Sequence, residues 1–278
     1  MSASDSSTAL RPEASRSLEA ELAGLVGSVQ EARWILEDAR RAADPIAEAR
    51  RLARRRAGGE PLQHVLSHWG FRRLAVKSDR RALVPRFETE LVVEIALAEV
   101  ASSRPLWAAD LGTGSGVIAL SLALELRGEV NCLATDISPA ALGLARENAA
   151  ASGLGQSGRL SFLQGSWYEA LGGQLRGALD LVVSNPPYLA AREWEELDPV
   201  VRQYDPYEAL VAGEQGTEAM AEILLGAPVF LKDDGLVVLE LAPHQAGAGL
   251  ELARRAGFSD ARVAPDLAGR PRVLVARP

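Results

Sequence analysis

From Trp107 to the end of the chain, short apolar runs alternate with longer stretches in which apolar residues recur every three or four positions. This alternation is typical of a mostly parallel β-sheet whose two faces are covered by helices. Two late apolar segments, near 261–263 and 272–276, predict a terminal hairpin. The pattern therefore predicts an α/β domain. Its strands are expected at 107–111, 130–135, 160–163, 179–184 and 236–241, and its helices near 116–126, 138–151, 216–230 and 244–256.

The N-terminal region has a helical pattern instead. Leu18 and Leu22 begin a series of apolar residues at helical spacing, and Asp44-Pro45 supplies a cap and a first helical position for a later helix. We predict a small helical-bundle domain over residues 16–64. The preceding residues, 1–15, are rich in serine and alanine and are predicted to be disordered.

Residues 65–86 are predicted to bridge the helical domain and the α/β domain. Apolar and polar residues alternate over Arg73–Val76 and again over Ala82–Val84. Alternation of this kind is typical of half-buried strands. We therefore predict a short β-hairpin that turns at Ser78-Asp79.

The α/β domain is expected to span residues 87–278. Near its start, Thr89 precedes a helical pattern that runs from Glu90 to about Ser102. A threonine hydroxyl can accept a hydrogen bond from a free amide at the start of a helix. Thr89 is therefore a candidate N-cap.

The composition is that of an ordinary globular protein, with 47% hydrophobic and 24% charged residues. No apolar run approaches the roughly 18 residues of a membrane span, and the N-terminus lacks the pattern of a secretory signal. The single cysteine, Cys132, excludes an internal disulfide, and no cysteine or histidine cluster supports a transition-metal site. We expect a cytoplasmic monomer without bound metal or membrane contact.

The net charge of -7 is unevenly distributed. Through residue 80 the chain carries 14 Lys+Arg against 11 Asp+Glu, whereas the remainder carries 16 against 26. Contacts to phosphate dominate the affinity of proteins for nucleic acids. The acidic balance of the α/β domain therefore argues against direct binding of a nucleic acid.

A glycine-rich loop, Asp110-Leu111-Gly112-Thr113-Gly114-Ser115-Gly116, follows the first strand of the predicted sheet. Glycines let the backbone turn sharply and approach a ligand closely. Asp136 ends the next strand, 20 residues beyond Gly116. A carboxylate in that place can accept hydrogen bonds from both hydroxyls of a ribose. The two features predict a site for a cofactor that contains a nucleoside.

Two cofactor classes compete for this loop. A dinucleotide fingerprint reads GxGxxG and sets a pyrophosphate on a helix N-terminus, whereas this loop reads GxGxG and has no basic residue. Asp110 would repel a pyrophosphate but suits the cationic sulfonium of S-adenosylmethionine, which is therefore favoured. The third strand ends in Ser166-Trp167, where Trp167 is a candidate for the adenine pocket or, alternatively, a core residue.

The fourth predicted strand ends abruptly in Asn185-Pro186-Pro187-Tyr188. Consecutive prolines stiffen the backbone and leave carbonyls that no neighbouring strand uses. The nitrogen of an amide or an exocyclic amine is a weak nucleophile, and the carbonyls of Asn185 and Pro186 could align it by accepting its two N–H groups. Tyr188 could pack on the planar group. Catalysis would rest on positioning and fixed dipoles.

Together, Asp110–Gly116, Asp136 and Asn185–Tyr188 resemble the motifs of class I methyltransferases that alkylate planar nitrogen. Over roughly residues 30–278 the chain resembles the protein-(glutamine-N5) methyltransferases that modify peptide chain release factors. Asn-Pro-Pro-Tyr is shared with DNA adenine and RNA guanine methylases, whereas the segment Pro85–Glu90 is more specific to the glutamine enzymes. The other segments that carry the resemblance are 59–63, 83–84, 204–210 and 266–272.

The resemblance implies a Rossmann-like class I methyltransferase domain with a mostly parallel seven-stranded sheet and S-adenosylmethionine as cofactor. It implies methylation of the glutamine in the Gly-Gly-Gln loop of class I release factors, with the helical domain helping to hold the factor. The loops described above and the resemblance together give the candidate cofactor contacts, which are Asp110, Gly112, Thr113, Gly114, Ser115, Gly116, Asp136, Ile137, Ser166, Trp167 and Asn185. The candidate catalytic residues are Asn185, Pro186 and Tyr188, and the candidate substrate contacts are Asn185, Pro186, Pro187, Tyr188, Arg86 and Glu88.

The chain departs from the family pattern at His64, at Ser67-His68 and at Phe87. These positions bear on substrate docking and not on the catalytic motif. Three alternatives stay open: a glutamine methyltransferase of a large-subunit ribosomal protein, a nucleic-acid amino-methyltransferase, and a non-catalytic binding module. The acidic balance argues against the second, and the presence of both Asp136 and Asn185 argues against the third.

Overall fold

The computed structural model describes residues 12–100 and 105–278. The chain divides into two compact units, Met1–Ser67 and His68–Pro278. Of the segment predicted to be disordered, residues 1–11 lie outside the described residues, whereas residues 12–15 belong to the first helix.

In its described residues the first unit is a bundle of helices around a small apolar core. Leu22, Ile35 and Leu52 come from three different helices and are buried. The predicted cap at Asp44 is confirmed, because its carboxylate accepts hydrogen bonds from two backbone N–H groups of the helix that follows. The helices are α1 (Pro12–Val26), α2 (Val29–Ala39), α3 (Pro45–Ala57) and α4 (Leu62–Leu66).

The second unit opens with a β-hairpin of two antiparallel strands, β1 (His68–Phe71) and β2 (Leu74–Lys77). The predicted position of the hairpin is wrong. Its turn lies at Arg72-Arg73 and not at Ser78-Asp79, and Ala82–Val84 is not a strand.

Tertiary contacts explain why this turn carries no sequence signal. Arg72 has a φ of 49°, a left-handed conformation that glycine or asparagine usually supplies in a tight hairpin. Its backbone N–H donates to Glu90 Oε1 at 2.9 Å, and its guanidinium donates to both carboxylate oxygens of Glu125. Partners far along the chain therefore hold a turn that the local residues do not favour.

The next helix, α5 (Phe87–Glu99), begins before the predicted start at Glu90 and has Arg86 as its N-cap residue. The prediction that Thr89 caps this helix is wrong. Thr89 lies within the first turn, is 2% exposed, and directs its hydroxyl to residues outside the helix. The predicted end near Ser102 lies outside the described residues.

A seven-stranded, mostly parallel sheet forms the centre of the second unit, as predicted. The remaining strands are β3 (Leu106–Leu111), β4 (Val130–Asp136), β5 (Leu160–Gln164), β6 (Leu179–Ser184), β7 (Leu189–Ala190), β8 (Val211–Gly213), β9 (Leu231–Glu240), β10 (Asp260–Pro265) and β11 (Pro271–Arg277). The order in the sheet is β10-β11-β9-β6-β3-β4-β5. Neighbouring strands are parallel through β9, β6, β3, β4 and β5. Strands β10 and β11 form the predicted antiparallel terminal hairpin, and β11 also pairs antiparallel with β9.

Helices cover both faces of the sheet, and alternate residues of each strand point to opposite faces. In β6, Leu181 and Val183 join one apolar cluster with α5 and the next helices, whereas Val182 joins a second cluster on the other face. The helices after α5 are α6 (Val117–Glu125), α7 (Pro139–Ala151), α8 (Ala191–Trp194), α9 (Pro199–Tyr204), α10 (Glu218–Phe230) and α11 (Ala246–Arg255).

Residues 189–213 form an insertion between β6 and α10 that the sequence pattern did not predict. The very short strands β7 and β8 pair in parallel, and α8 and α9 lie between them in the chain. Strands this short carry no readable periodicity. None of the described helices is long and apolar enough to span a membrane.

Candidate active site

A cavity of about 630 Å³ opens where β3, β4, β5 and β6 end. Pockets for small molecules measure roughly 300–1,000 Å³ and, in open α/β sheets, lie at this carboxyl edge. The structure brings eight of the candidate residues together on the cavity wall: Gly112, Gly114, Asp136, Ile137, Ser166, Trp167, Asn185 and Pro187.

The glycine-rich loop turns between β3 and α6 with Gly112, Gly114 and Gly116 all in the left-handed region. A Cβ on Gly116 would lie 3.0 Å from Ala145 Cβ, so the loop also packs closely on α7. Gly112 and Gly114 face the cavity, whereas Gly116 starts α6 behind them.

Asp110 lies beneath this loop and not on the cavity wall. Its Oδ2 accepts hydrogen bonds from the Thr113 hydroxyl at 2.6 Å and from the Ala119 backbone N–H at 3.0 Å. Asp110 is 1% exposed, because the loop and the start of α6 cover its carboxylate. Thr113 and Ser115 are also buried, so these three predicted cofactor contacts lie behind the cavity and not on it.

Asp136, unlike Asp110, lies on the cavity wall. Its Oδ2 accepts from the Gly114 N–H at 2.9 Å and its Oδ1 from the Ser138 N–H at 2.8 Å. Burial raises the pKa of Asp136, and these backbone hydrogen bonds act in the opposite direction. Asp136 therefore ties the glycine loop to the loop after β4, and each oxygen keeps a lone pair for a ligand.

Trp167 follows β5 and forms another part of the wall. A Cβ on Gly112 would come within 3.3 Å of the indole ring, so the ring lies directly against the glycine loop. Trp167 has a φ of 41°, which is uncommon for a bulky residue and is found at functional sites. Trp167 fits both predicted alternatives, because its ring lies on the cavity wall and also packs on an apolar core cluster.

Asn185 follows β6 and turns its amide nitrogen away from solvent. Nδ2 donates to the hydroxyl of Thr89 at 3.0 Å, and this hydroxyl in turn donates to Glu240 Oε2 at 2.7 Å. Sequence reasoning missed both partners. In the sequence Thr89 resembles a helix cap, and Glu240 lies in a predicted strand with no recognisable motif.

The residues after Asn185 are fixed from two sides. Tyr188 donates its backbone N–H to the Leu210 carbonyl, and its own carbonyl accepts from Gln245 Nε2 at 2.8 Å. The same Gln245 amide nitrogen donates to the Gly216 carbonyl. Tyr188 and the buried Pro186 do not border the cavity themselves.

The predicted substrate contacts at the start of α5 also lie off the cavity wall. Arg86 donates to Asp205 Oδ2 at 3.2 Å, and Glu88 lies 3.9 Å from the guanidinium of Arg270. These pairs join the start of α5 to the insertion and to the β10–β11 turn. Several cavity residues outside the predicted set complete the wall, namely Arg81, Ala82, Leu83, Ser138, Ala141, Gly165, Pro206, Tyr207, Glu208, Ala209, Val211, Ala212, Ala219 and Glu222.

The burial of Asp110 predicts a pH-dependent stability. Burial raises the pKa of Asp110 to about 7, well above the value of roughly 3.9 for an unfolded chain. The folded state therefore binds the proton of the Asp110 carboxyl more tightly than the unfolded state does. This proton's contribution to the free energy of unfolding is complete below about pH 4 and is lost as the pH rises through about 7. Asparagine is neutral and can keep the oxygen that Thr113 uses. Asp110→Asn should therefore raise the melting temperature relative to wild type by more at about pH 8 than at about pH 6.

Glu147→Gln is the matched control for this measurement. Arg81 and Lys77 lower the pKa of the exposed Glu147 to about 2, so its charge does not change between about pH 6 and pH 8 in either state. Its melting-temperature difference should be the same at both pH values. If the melting-temperature difference between Asp110→Asn and wild type were also the same at both pH values, Asp110 would already be ionised at about pH 6 in the folded protein.

The chain is similar to methyltransferases of known families. Residues 90–200 match the methyltransferase small domain family. The release factor glutamine methyltransferase of Xylella fastidiosa (strain 9a5c) is 40% identical over 230 residues, which cover 81% of this chain and 79% of that protein. That of Deinococcus radiodurans is 44% identical over 237 residues, which cover 84% and 81%. This chain belongs to the release factor glutamine methyltransferase family.

A solved structure supports the fold of this family member. The N-terminal domain of human METTL16 in complex with SAH has a TM-score of 0.51 at 17% identity, over 73% of this chain and 75% of that one. At this identity the likeness concerns the fold alone. As a member of the release factor glutamine methyltransferase family, the chain is an S-adenosylmethionine-dependent methyltransferase. The fold class and cofactor predicted from the sequence are confirmed.

Proposed function

We propose that this protein transfers a methyl group from S-adenosylmethionine to the side-chain amide nitrogen of a glutamine in class I peptide chain release factors. The glutamine is the one in their Gly-Gly-Gln loop. The names of the relatives support the substrate class. The structural observation that supports it is the orientation of Asn185, which lies on the cavity wall with Nδ2 turned inward to Thr89 and Oδ1 left for a substrate.

The cavity residues suit the cofactor. Asp136 presents carboxylate lone pairs that can accept from both ribose hydroxyls, and the Trp167 ring offers a flat apolar surface for the adenine. Gly112 and Gly114 let the ligand approach the backbone closely. When bound, S-adenosylmethionine supplies a methyl group on a cationic sulfur, an electrophile that a weak nucleophile can attack.

The chain's own task is to align the substrate nitrogen. Asn185 Oδ1, on the cavity wall, and the Pro186 carbonyl, just beyond that wall, would accept the two N–H groups of the glutamine amide and so direct its lone pair toward the cofactor. Among the described residues, the Pro186 carbonyl accepts no hydrogen bond that would compete. Both acceptors are neutral, so the residues contribute positioning and fixed dipoles and not a strong base. The nitrogen would lose one of its protons after the N–C bond has formed and the sulfur–methyl bond has broken.

Tyr188 would complete the grip on the planar amide. Burial raises the pKa of Tyr188, so its phenol stays uncharged at neutral pH. Arg86 and Glu88 would shape the outer wall through their partners Asp205 and Arg270. We further propose that the helical residues 16–64 help to hold the release factor, that 65–86 bridge to the catalytic residues 87–278, and that the enzyme acts as a monomer.

The proposal is tested by incubating the purified protein with labelled S-adenosylmethionine and a class I release factor. We expect label to enter the factor and to disappear when the glutamine of its Gly-Gly-Gln loop is replaced by alanine. Large-subunit ribosomal proteins, DNA and ribosomal RNA are assayed in parallel. Label in one of these and not in the release factor would overturn the proposal.

A further inference from the structure

Three side chains from distant parts of the chain meet behind the cavity wall. Thr89 comes from the first turn of α5, Glu240 is the last residue of β9, and Asn185 follows β6. Thr89 accepts from Asn185 Nδ2 at 3.0 Å and donates to Glu240 Oε2 at 2.7 Å. Thr89 and Glu240 are each 2% exposed and do not border the cavity, whereas Asn185 does.

The single proton of the Thr89 hydroxyl gives this chain of hydrogen bonds a direction. A carboxylate can only accept, so the proton is directed to Glu240, and the remaining lone pair of Thr89 can pair only with an N–H. Asn185 must therefore turn Nδ2 inward and Oδ1 toward the cavity. In the reverse orientation the Asn185 NH₂ group would face the N–H groups of a substrate amide, and two donors cannot form a hydrogen bond with each other.

The surroundings of Glu240 act on its charge in two opposite directions. Burying a carboxylate is costly, so a buried one commonly has compensating charge nearby. Burial raises the pKa of Glu240 to about 7, while the Thr89 hydrogen bond and the positive charges of Arg272 and Arg86 act in the opposite direction. Glu88 adds to the burial effect. As the pH rises above this value the carboxylate form predominates, and the direction of the hydrogen bonds is then fixed.

We propose that Thr89 and Glu240 are positioning residues for methyl transfer, which hold the Asn185 amide with its Oδ1 facing the substrate nitrogen. This inference rests on the function proposed above. Neither residue touches the cofactor cavity, so their loss should affect the alignment of the substrate and not the affinity for S-adenosylmethionine.

Thr89→Val tests this directly, because valine keeps the volume and removes the hydroxyl. At about pH 8 we expect kcat for release factor methylation to fall on the order of tenfold or more, since Asn185 and Glu240 each lose a buried partner. The dissociation constant of S-adenosylmethionine, measured by calorimetry, should change by less than about twofold. Thr89→Ser, which restores the hydroxyl, should recover most of the turnover.

Glu240→Gln gives an independent measurement if the valine variant does not fold. A glutamine amide can accept from Thr89 or donate to it, so both orientations of Asn185 become populated and kcat should fall severalfold at unchanged cofactor affinity. Ser121→Ala is the control: Ser121 is buried in α6, and its hydroxyl has no hydrogen-bond partner among the described residues. It should keep wild-type kcat.

Three outcomes would overturn the proposal: wild-type kcat in Thr89→Val and Glu240→Gln, a parallel loss of cofactor binding in both, or no recovery in Thr89→Ser. All variants are compared with a wild-type enzyme that methylates the release factor. Absence of wild-type methylation would instead count against the proposed function itself, so the two failures are distinguishable.

Discussion

Replacing Asn185 by alanine should lower kcat for release factor methylation by at least about a hundredfold. The variant loses the oxygen that would accept from the glutamine amide, and the loss of one such positioned dipole costs on the order of 10²–10³ in rate. The cavity wall formed by Asp136, Trp167 and the glycine loop stays intact. The dissociation constant of S-adenosylmethionine should therefore change by less than about threefold. Single-turnover kinetics and calorimetry measure the two quantities separately.

Asn131→Ala is the matched control for this substitution. Asn131 lies within β4, is half-buried, and does not border the cavity. Its replacement should leave both kcat and cofactor binding near wild type. If Asn185→Ala instead weakened cofactor binding as severely as it lowered turnover, Asn185 would be mainly a cofactor ligand, and the alignment of the substrate nitrogen would have to come from other groups.

The parts of this site that could be predicted from the sequence are those in which local residues fix the geometry. The ends of β3, β4 and β6 are marked by a glycine loop, an aspartate and a pair of prolines, each at or just after the end of a largely apolar strand. Parallel strands bring such ends to one edge of a sheet. The sequence alone therefore predicts that Asp136 and Asn185 lie in the same site.

The parts that could not be predicted depend on contacts between distant residues. Thr89 and Glu240 are separated by 151 positions, and nothing near Thr89 distinguishes a buried hydroxyl from a helix cap. The turn at Arg72 likewise depends on Glu90 and Glu125. Asp110 shows the same limit in another way: the sequence places an acid beside the loop but does not tell whether it lies above or beneath it.

Loss of Asp136 should weaken cofactor binding more than any other single substitution on the cavity wall. Asp136→Ala removes the two acceptors that a ribose would use and also unties the glycine loop from the loop after β4, because Gly114 and Ser138 lose their partner. Hydrogen bonds to charged groups contribute about 1.5–3 kcal/mol each, and about 1.4 kcal/mol corresponds to tenfold in affinity. The dissociation constant of S-adenosylmethionine should rise by about a hundredfold or more, whereas kcat at saturating cofactor should fall much less.

Asp136→Ala removes acceptors for the ribose and also removes hydrogen bonds that hold a loop, and Asp266→Ala is the control for the second effect. Asp266 also ties a loop, since its Oδ1 accepts from the backbone N–H groups of Ala268 and Arg270, but it lies outside the cavity. It should lower the melting temperature without changing cofactor affinity. Wild-type affinity in Asp136→Ala would mean that Asp136 acts only as a loop tie, as Asp266 does. Asp136→Asn, which keeps one acceptor oxygen, should lie between wild type and Asp136→Ala, because one ribose hydroxyl can still be bound.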